Sequence, residues 1–213
     1  IPEVLEIYNH RTDVSDRIVW GSLRVFQITL KISMKERPSR EWCPSPNFSL
    51  KDQGREIFCV VIHATATANK ESPLDWLCNS ESKVSAHYLI DPLGMIYQLV
   101  EESNVAWHAG VSEWNSRKGV NQFSIGIELV NPNDGKTAYQ FQQVEVCATL
   151  VAAICKDHNI CSLDVIGHAD IAPGRKNDPR GFPWVQFREM LVDRGVKKYK
   201  GGDNEINASK PVC

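Results

Sequence analysis

The chain has 213 residues, of which 42% are apolar and 23% charged, enough for one domain with a substantial core and marginal for two. Lysine plus arginine number 24 against 26 aspartates and glutamates, a net charge of −2, so no basic field points to nucleic acid. No apolar run approaches the roughly 20 residues that a membrane-spanning helix needs.

The first residue is Ile1 rather than Met, which suggests a processed or truncated chain and leaves a removed leader open. Residues 1–40 read as an extension. Within it, Leu23 to Ser33 alternates in part, as an edge strand does. A loop rich in Pro, Ser and charge follows, through about residue 56. The core begins at IFCVVIH, residues 57–63, a continuous apolar run of strand length that ends in His63. Ser72 followed by Pro73 predicts a helix start with Ser72 as the cap. VSAHYLIDPLGMIYQLV, residues 84–100, predicts a hairpin around its Asp-Pro-Leu-Gly turn.

In SIGIELV, residues 124–130, Ile125, Ile127 and Leu129 alternate with Gly126 and Glu128, so Glu128 points away from the isoleucine face. Thr137 and Gln140 have the spacing of a capping box and predict the start of the longest helix. Along it Phe141, Val144, Ala148, Val151, Ile154 and Cys155 recur at helical spacing. A short strand at 163–167 then runs into GHADIAPGRKNDPRG, a Pro/Gly-punctuated loop holding His168, Lys176 and Asp178. A last helix is expected from Pro183, with Gly195 just past its end. Residues 196–213 form a polar tail. The order of elements predicts an α/β domain over residues 41–195, a mixed central sheet flanked by helices. Seven cysteines without a C-x-x-C pair exclude a zinc ribbon and lean towards a reducing compartment.

A catalytic zinc takes three protein ligands from His, Asp, Glu or Cys and keeps one position open. His63, His168 and Asp178 supply such a set, and two of them follow apolar strands. Sequence spacing alone leaves their convergence open, and either histidine fits equally well as a packed or solvated residue.

VVIHATAT, VSAHYLI, AWHAGVS, SIGIELVNP and GHADIAPGRKNDP resemble, in order, the motifs of the zinc-dependent N-acetylmuramoyl-L-alanine amidases of the type-2 family. The resemblance spans about residues 44–187. It implies the type-2 amidase, peptidoglycan-recognition-like fold and one zinc per chain, held by His63, His168 and Asp178. It implies Glu128 as the proton carrier and Lys176 as the cation facing the oxyanion. A strand carboxylate paired with a lysine, and a solvated loop charge, are the alternatives for those two. His87, Trp107 and His108 resemble cleft-lining positions, although either histidine also fits as a packed core residue.

The implied substrate is peptidoglycan or a muropeptide, cut between N-acetylmuramic acid (or its anhydro form) and L-alanine. Within the family the compact spacing and the aspartate ligand look like the AmpD/AmiD group, closer to AmiD. AmiD-type enzymes act in the cell envelope and AmpD-type enzymes in the cytoplasm, and the expectation here is the envelope. The residues after the last helix are too few for a further peptidoglycan-binding domain. A non-catalytic peptidoglycan-binding protein and a phage-type lytic amidase are the competing readings.

Overall fold

The computed structural model describes residues 37–51 and 54–198. The edge strand expected at Leu23 to Ser33 and most of the 196–213 tail lie outside the described residues. Two short strands come first, β1 (Glu41–Trp42) and β2 (Phe48–Ser49), in a segment expected to be loop; two residues are too few to leave a period in the sequence. Then come β3 (Cys59–Ala64), helix α1 (Glu71–Leu77), the hairpin strands β4 (Tyr88–Ile90) and β5 (Ile96–Gln98), and β6 (Val105–Ala106). They are followed by β7 (Glu113–Trp114), β8 (Arg117–Lys118), β9 (Ser124–Leu129) and the long helix α2 (Phe141–His158). The last elements are β10 (Val165–Gly167), the single-turn α3 (His168–Ile171) and α4 (Trp184–Asp193).

The central sheet runs β1-β5-β4-β9-β3-β10. Strands β4, β9, β3 and β10 are mutually parallel, while β5 runs antiparallel to β4. All six residues of β3 are buried, which explains a strand with no alternation: both of its faces are covered. On one face Val60, Ile62, Ile125, Ile127 and Leu129 pack under α2 and α4, joined by Val144, Ala148, Val151 and Phe187. Phe187 is fully buried, so its truncation to alanine is expected to cost about 3–5 kcal/mol. The Gln143 amide, buried in α2, donates to the carbonyls of Ile90 (2.9 Å) and Val130 (3.1 Å) and ties the helix to the ends of β4 and β9.

The opposite face carries Cys59, Val61 and His63 of β3 with Gly126 and Glu128 of β9. Because β3, β9 and β10 are parallel neighbours, their C-terminal ends form one edge, where open α/β sheets place their ligands.

Two helix starts differ from expectation. Helix α1 begins at Glu71 with Lys70 as its cap, so Pro73 lies inside the first turn and Ser72 caps nothing. Helix α2 begins at Phe141 with Gln140 at the cap and no side-chain cap bond. The Thr137 hydroxyl and amide instead bond the Asp134 carboxylate at 2.9 and 2.7 Å, a local turn that competes with capping. At the other end of the chain, Gly195 (φ +85°) ends α4 as its spacing predicts, with the Val196 amide reaching back to the Leu191 carbonyl.

Candidate metal centre and cleft

Three strand ends build the site. His63 is the fifth residue of β3 and Glu128 the fifth of β9, and the register sets them directly opposite. His168 follows β10 at once and opens α3. Asp178 returns to the same point on the loop after α3, pinned by its own carbonyl, which accepts from the Ala169 amide at 2.9 Å. That return needs Gly167: a Cβ there would stand 2.9 Å from the Pro179 ring.

Side chains 105 and 115 positions apart in sequence therefore meet. His63 Nδ1 lies 2.9 Å from His168 Nδ1 and 3.5 Å from Asp178 Oδ2, and His168 Nδ1 lies 3.2 Å from the same carboxylate oxygen. All three are buried, and they form a group that can hold a metal ion. On its far side His168 Nε2 faces the Ala109 carbonyl at 3.3 Å. A carbonyl only accepts, so that nitrogen carries the proton, and the lone pair of His168 is left on Nδ1, facing His63 and Asp178. Burial holds the His63 imidazole down at about 4.

Glu128 lines the same cleft as His168, Lys176 and Asp178, a cavity of about 710 Å³. Its Oε2 is buried without a hydrogen-bond partner, a state shared among the described residues by the Tyr139 hydroxyl alone. Burial, reinforced by the Asp178 charge and opposed by Lys176, pushes the Glu128 carboxyl up to about 8. Lys176 is exposed, held through its amide by the Ala172 carbonyl at 3.0 Å.

The three residues expected to line the cleft separate. Trp107 lines it, with its indole N–H donating to the Ser49 hydroxyl at 3.0 Å. His108 reaches the cleft wall, but both ring nitrogens are engaged, Nδ1 with His63 Nε2 at 3.0 Å and Nε2 with the Ser124 hydroxyl at 3.1 Å. His87 is fully buried and takes the packed alternative. Its Nδ1 accepts from the Gly126 amide at 3.0 Å, and its Nε2 faces the Asn104 carbonyl and Arg55.

Sequence reading missed the residues that hold the loop around His108. The Arg175 guanidinium donates to the carbonyls of Ala109 (2.8 Å) and Val111 (2.6 Å), and Asn121 Oδ1 accepts from the amides of His108 and Ala109. An arginine in a basic turn and an asparagine in a loop carry no periodic signal, so only the fold reveals them.

The family model described as N-acetylmuramoyl-L-alanine amidase matches residues 53–181. AmiD of Escherichia coli is 37% identical over 151 residues, 64% of this chain and 54% of AmiD. The AmpD 1,6-anhydro-N-acetylmuramyl-L-alanine amidase of Escherichia coli is 41% identical over 110 residues, 51% of this chain and 59% of AmpD. The chain thus matches little more than half the length of either relative. A solved structure of Escherichia coli AmiD with the substrate anhydro-N-acetylmuramic acid-L-Ala-D-γ-Glu-L-Lys superposes with a TM-score of 0.59 at 32% identity. That superposition covers 70% of this chain and 66% of the AmiD chain.

Proposed function

The chain belongs to the N-acetylmuramoyl-L-alanine amidase family, and from that premise we propose that it hydrolyses the amide joining the lactyl group of N-acetylmuramic acid, or its anhydro form, to L-alanine. The observation that carries this reading is the convergence of His63, His168 and Asp178 at a cleft that His168 and Asp178 line together with Glu128, whose buried Oε2 has no hydrogen-bond partner. The catalytic unit is taken as residues 41–195, which contain the whole family match.

The ion assigned to the three-residue group is zinc. Ligands about 2.0–2.2 Å from one tetrahedral ion stand about 3.4 Å apart, and the observed 2.9, 3.2 and 3.5 Å bracket that spacing. Two imidazoles and one carboxylate would leave a tetrahedral ion one position for water, and His168 and Asp178 both line the cleft. When bound, zinc supplies a Lewis acid that polarises the scissile carbonyl and acidifies water.

The side chains do the rest. In its ionised form Glu128 takes the proton of the attacking water as the new C–O bond forms, and delivers it to the alanine nitrogen as the C–N bond breaks. Lys176 places an ammonium against the charge that develops on the carbonyl oxygen. Trp107 offers an apolar wall. Glu128 and Lys176 both line the cleft, which supports a catalyst over a binding protein that keeps only the groove.

Among the described residues no helix is long and apolar enough to cross a membrane. The envelope is the proposed site of action, by likeness to AmiD. Activity on whole sacculi as well as on anhydro-muropeptides is the test: both substrates are expected to release stem peptide with a free L-alanine amino group. Release from anhydro-muropeptides alone would move the enzyme to cytoplasmic recycling, and release from neither would end the amidase reading.

A further inference from the structure

The protons of the histidine cluster can be assigned by starting from a backbone atom remote from the metal-ligand group. The Ser124 hydroxyl has one hydrogen, and it lies 2.7 Å from the Val120 carbonyl, which can only accept. Ser124 Oγ therefore presents a lone pair to His108 Nε2, 3.1 Å away, and that nitrogen must be the protonated one. A neutral His108 then has its lone pair on Nδ1, which faces His63 Nε2 at 3.0 Å, so the proton between them belongs to His63 Nε2. What remains on His63 is a bare Nδ1, directed at His168 Nδ1 and Asp178.

The chain of donors runs one way, from His63 through His108 and Ser124 to Val120. We infer that His108 is a positioning residue: it fixes the tautomer and ring angle of His63 so that Nδ1 presents its lone pair to the metal.

Three further features fit that role better than a cleft wall. Gly126 lies beneath the His108 ring, and a Cβ there would stand 2.4 Å from His108 Cγ, so the strand gives up a side chain to seat this imidazole. The backbone at His108 and Ala109 is clamped by Asn121 from one side and Arg175 from the other. The Ala109 carbonyl sets the tautomer of His168 in the same manner. Two consecutive loop residues thus orient both metal-facing imidazoles. Partners of this kind are typically worth about 10–100-fold in metal affinity.

The inference rests on the zinc reading, and the test separates the two. Long-range proton–nitrogen NMR of the zinc-loaded full chain reads the tautomers, and His108, which is outside the ligand set, is expected with its proton on Nε2. A proton on Nδ1 of His108 overturns the proposal. Chelator competition then measures zinc affinity. His108→Phe, which keeps a ring and removes the acceptor, is expected to bind about 10–100-fold more weakly. His108→Asn, whose amide oxygen stands where Nδ1 stood, is expected to recover most of the loss.

A folded His108→Phe with wild-type affinity also overturns the proposal. Should that variant fail to fold by circular dichroism, the tautomers and the His108→Asn affinity decide. Wild-type protein that binds no zinc would defeat the metal reading while leaving the tautomers measurable.

Discussion

His63 and Glu128 are register partners on adjacent parallel strands, so the fold places the imidazole proposed as a metal ligand and the carboxyl proposed as the proton carrier side by side on one face of the sheet. The pairing needs no loop to hold it: backbone hydrogen bonds between β3 and β9 set the separation, and both strands are buried. The proposed function gives each residue its own task, and mutation is expected to separate the two.

Glu128→Gln is expected to fold and to keep its zinc, because Glu128 is outside the ligand set. General acid–base catalysis is worth roughly 10²–10⁴-fold, so kcat should fall at least about a hundredfold. Zinc content and muropeptide kinetics on one preparation check this. A near-normal kcat would make Glu128 a structural strand residue.

Asp178→Ala removes one of the three groups that could hold the metal, and the one anionic charge among them. Loss of an outer partner typically costs about 10–100-fold in affinity, and loss of a ligand should exceed that. Wild-type protein should lose activity to a chelator and regain it with zinc. Metal analysis of the dialysed variant reads the outcome.

Lys176→Ala should lower kcat more than it raises KM, since its charge meets an oxyanion that exists in the transition state. Lys176→Arg should restore little, because a planar guanidinium does not place its charge where a compact ammonium does. A raised KM with kcat unchanged would assign Lys176 to substrate binding.

Far from the cleft, Glu102 accepts from Arg37 Nη2 at 2.9 Å and from the Tyr88 hydroxyl at 2.7 Å, with His158 at 3.5 Å. Burial alone would raise its carboxyl, yet His158, Arg37 and Tyr88 outweigh it and hold it at about 2, against an ordinary 4.5. A depressed folded-state value means the contribution is present above about 4.5 and is lost as pH falls towards 2. Glu102→Gln should therefore cost about 1–3 kcal/mol at neutral pH. The gap to wild type should close across that acidic window. Denaturant melts at several pH values measure it, and a pH-independent gap would contradict the assignment.

Much of this arrangement was legible in the sequence. IFCVVIH and SIGIELV read as buried strands because apolar runs of that length, ended by turn chemistry, have few other uses, and His63 and Glu128 inherited their places from them. The GHADIAPGRKNDP loop placed His168, Lys176 and Asp178 together by proximity alone.

The convergence of His63 with His168 was not legible from spacing, since it depends on β10 pairing with β3 rather than with its sequence neighbour β9. Nor was the division between His87 and His108. Both sit in apolar surroundings, and only the packing of the 106–110 loop over Gly126 separates a core histidine from one that touches His63. The cap at Ser72 failed for a local reason, because the helix starts at Glu71 and takes both Ser72 and Pro73 into its first turn.

The central claim is most directly tested by mass spectrometry of the products formed by zinc-loaded protein from anhydro-muropeptide in isotopically labelled water. One heavy oxygen is expected in the lactyl carboxylate of the sugar product, with none in a stem peptide that begins with free L-alanine. Cleavage at any other bond, or label in the peptide instead of the sugar, would contradict the account.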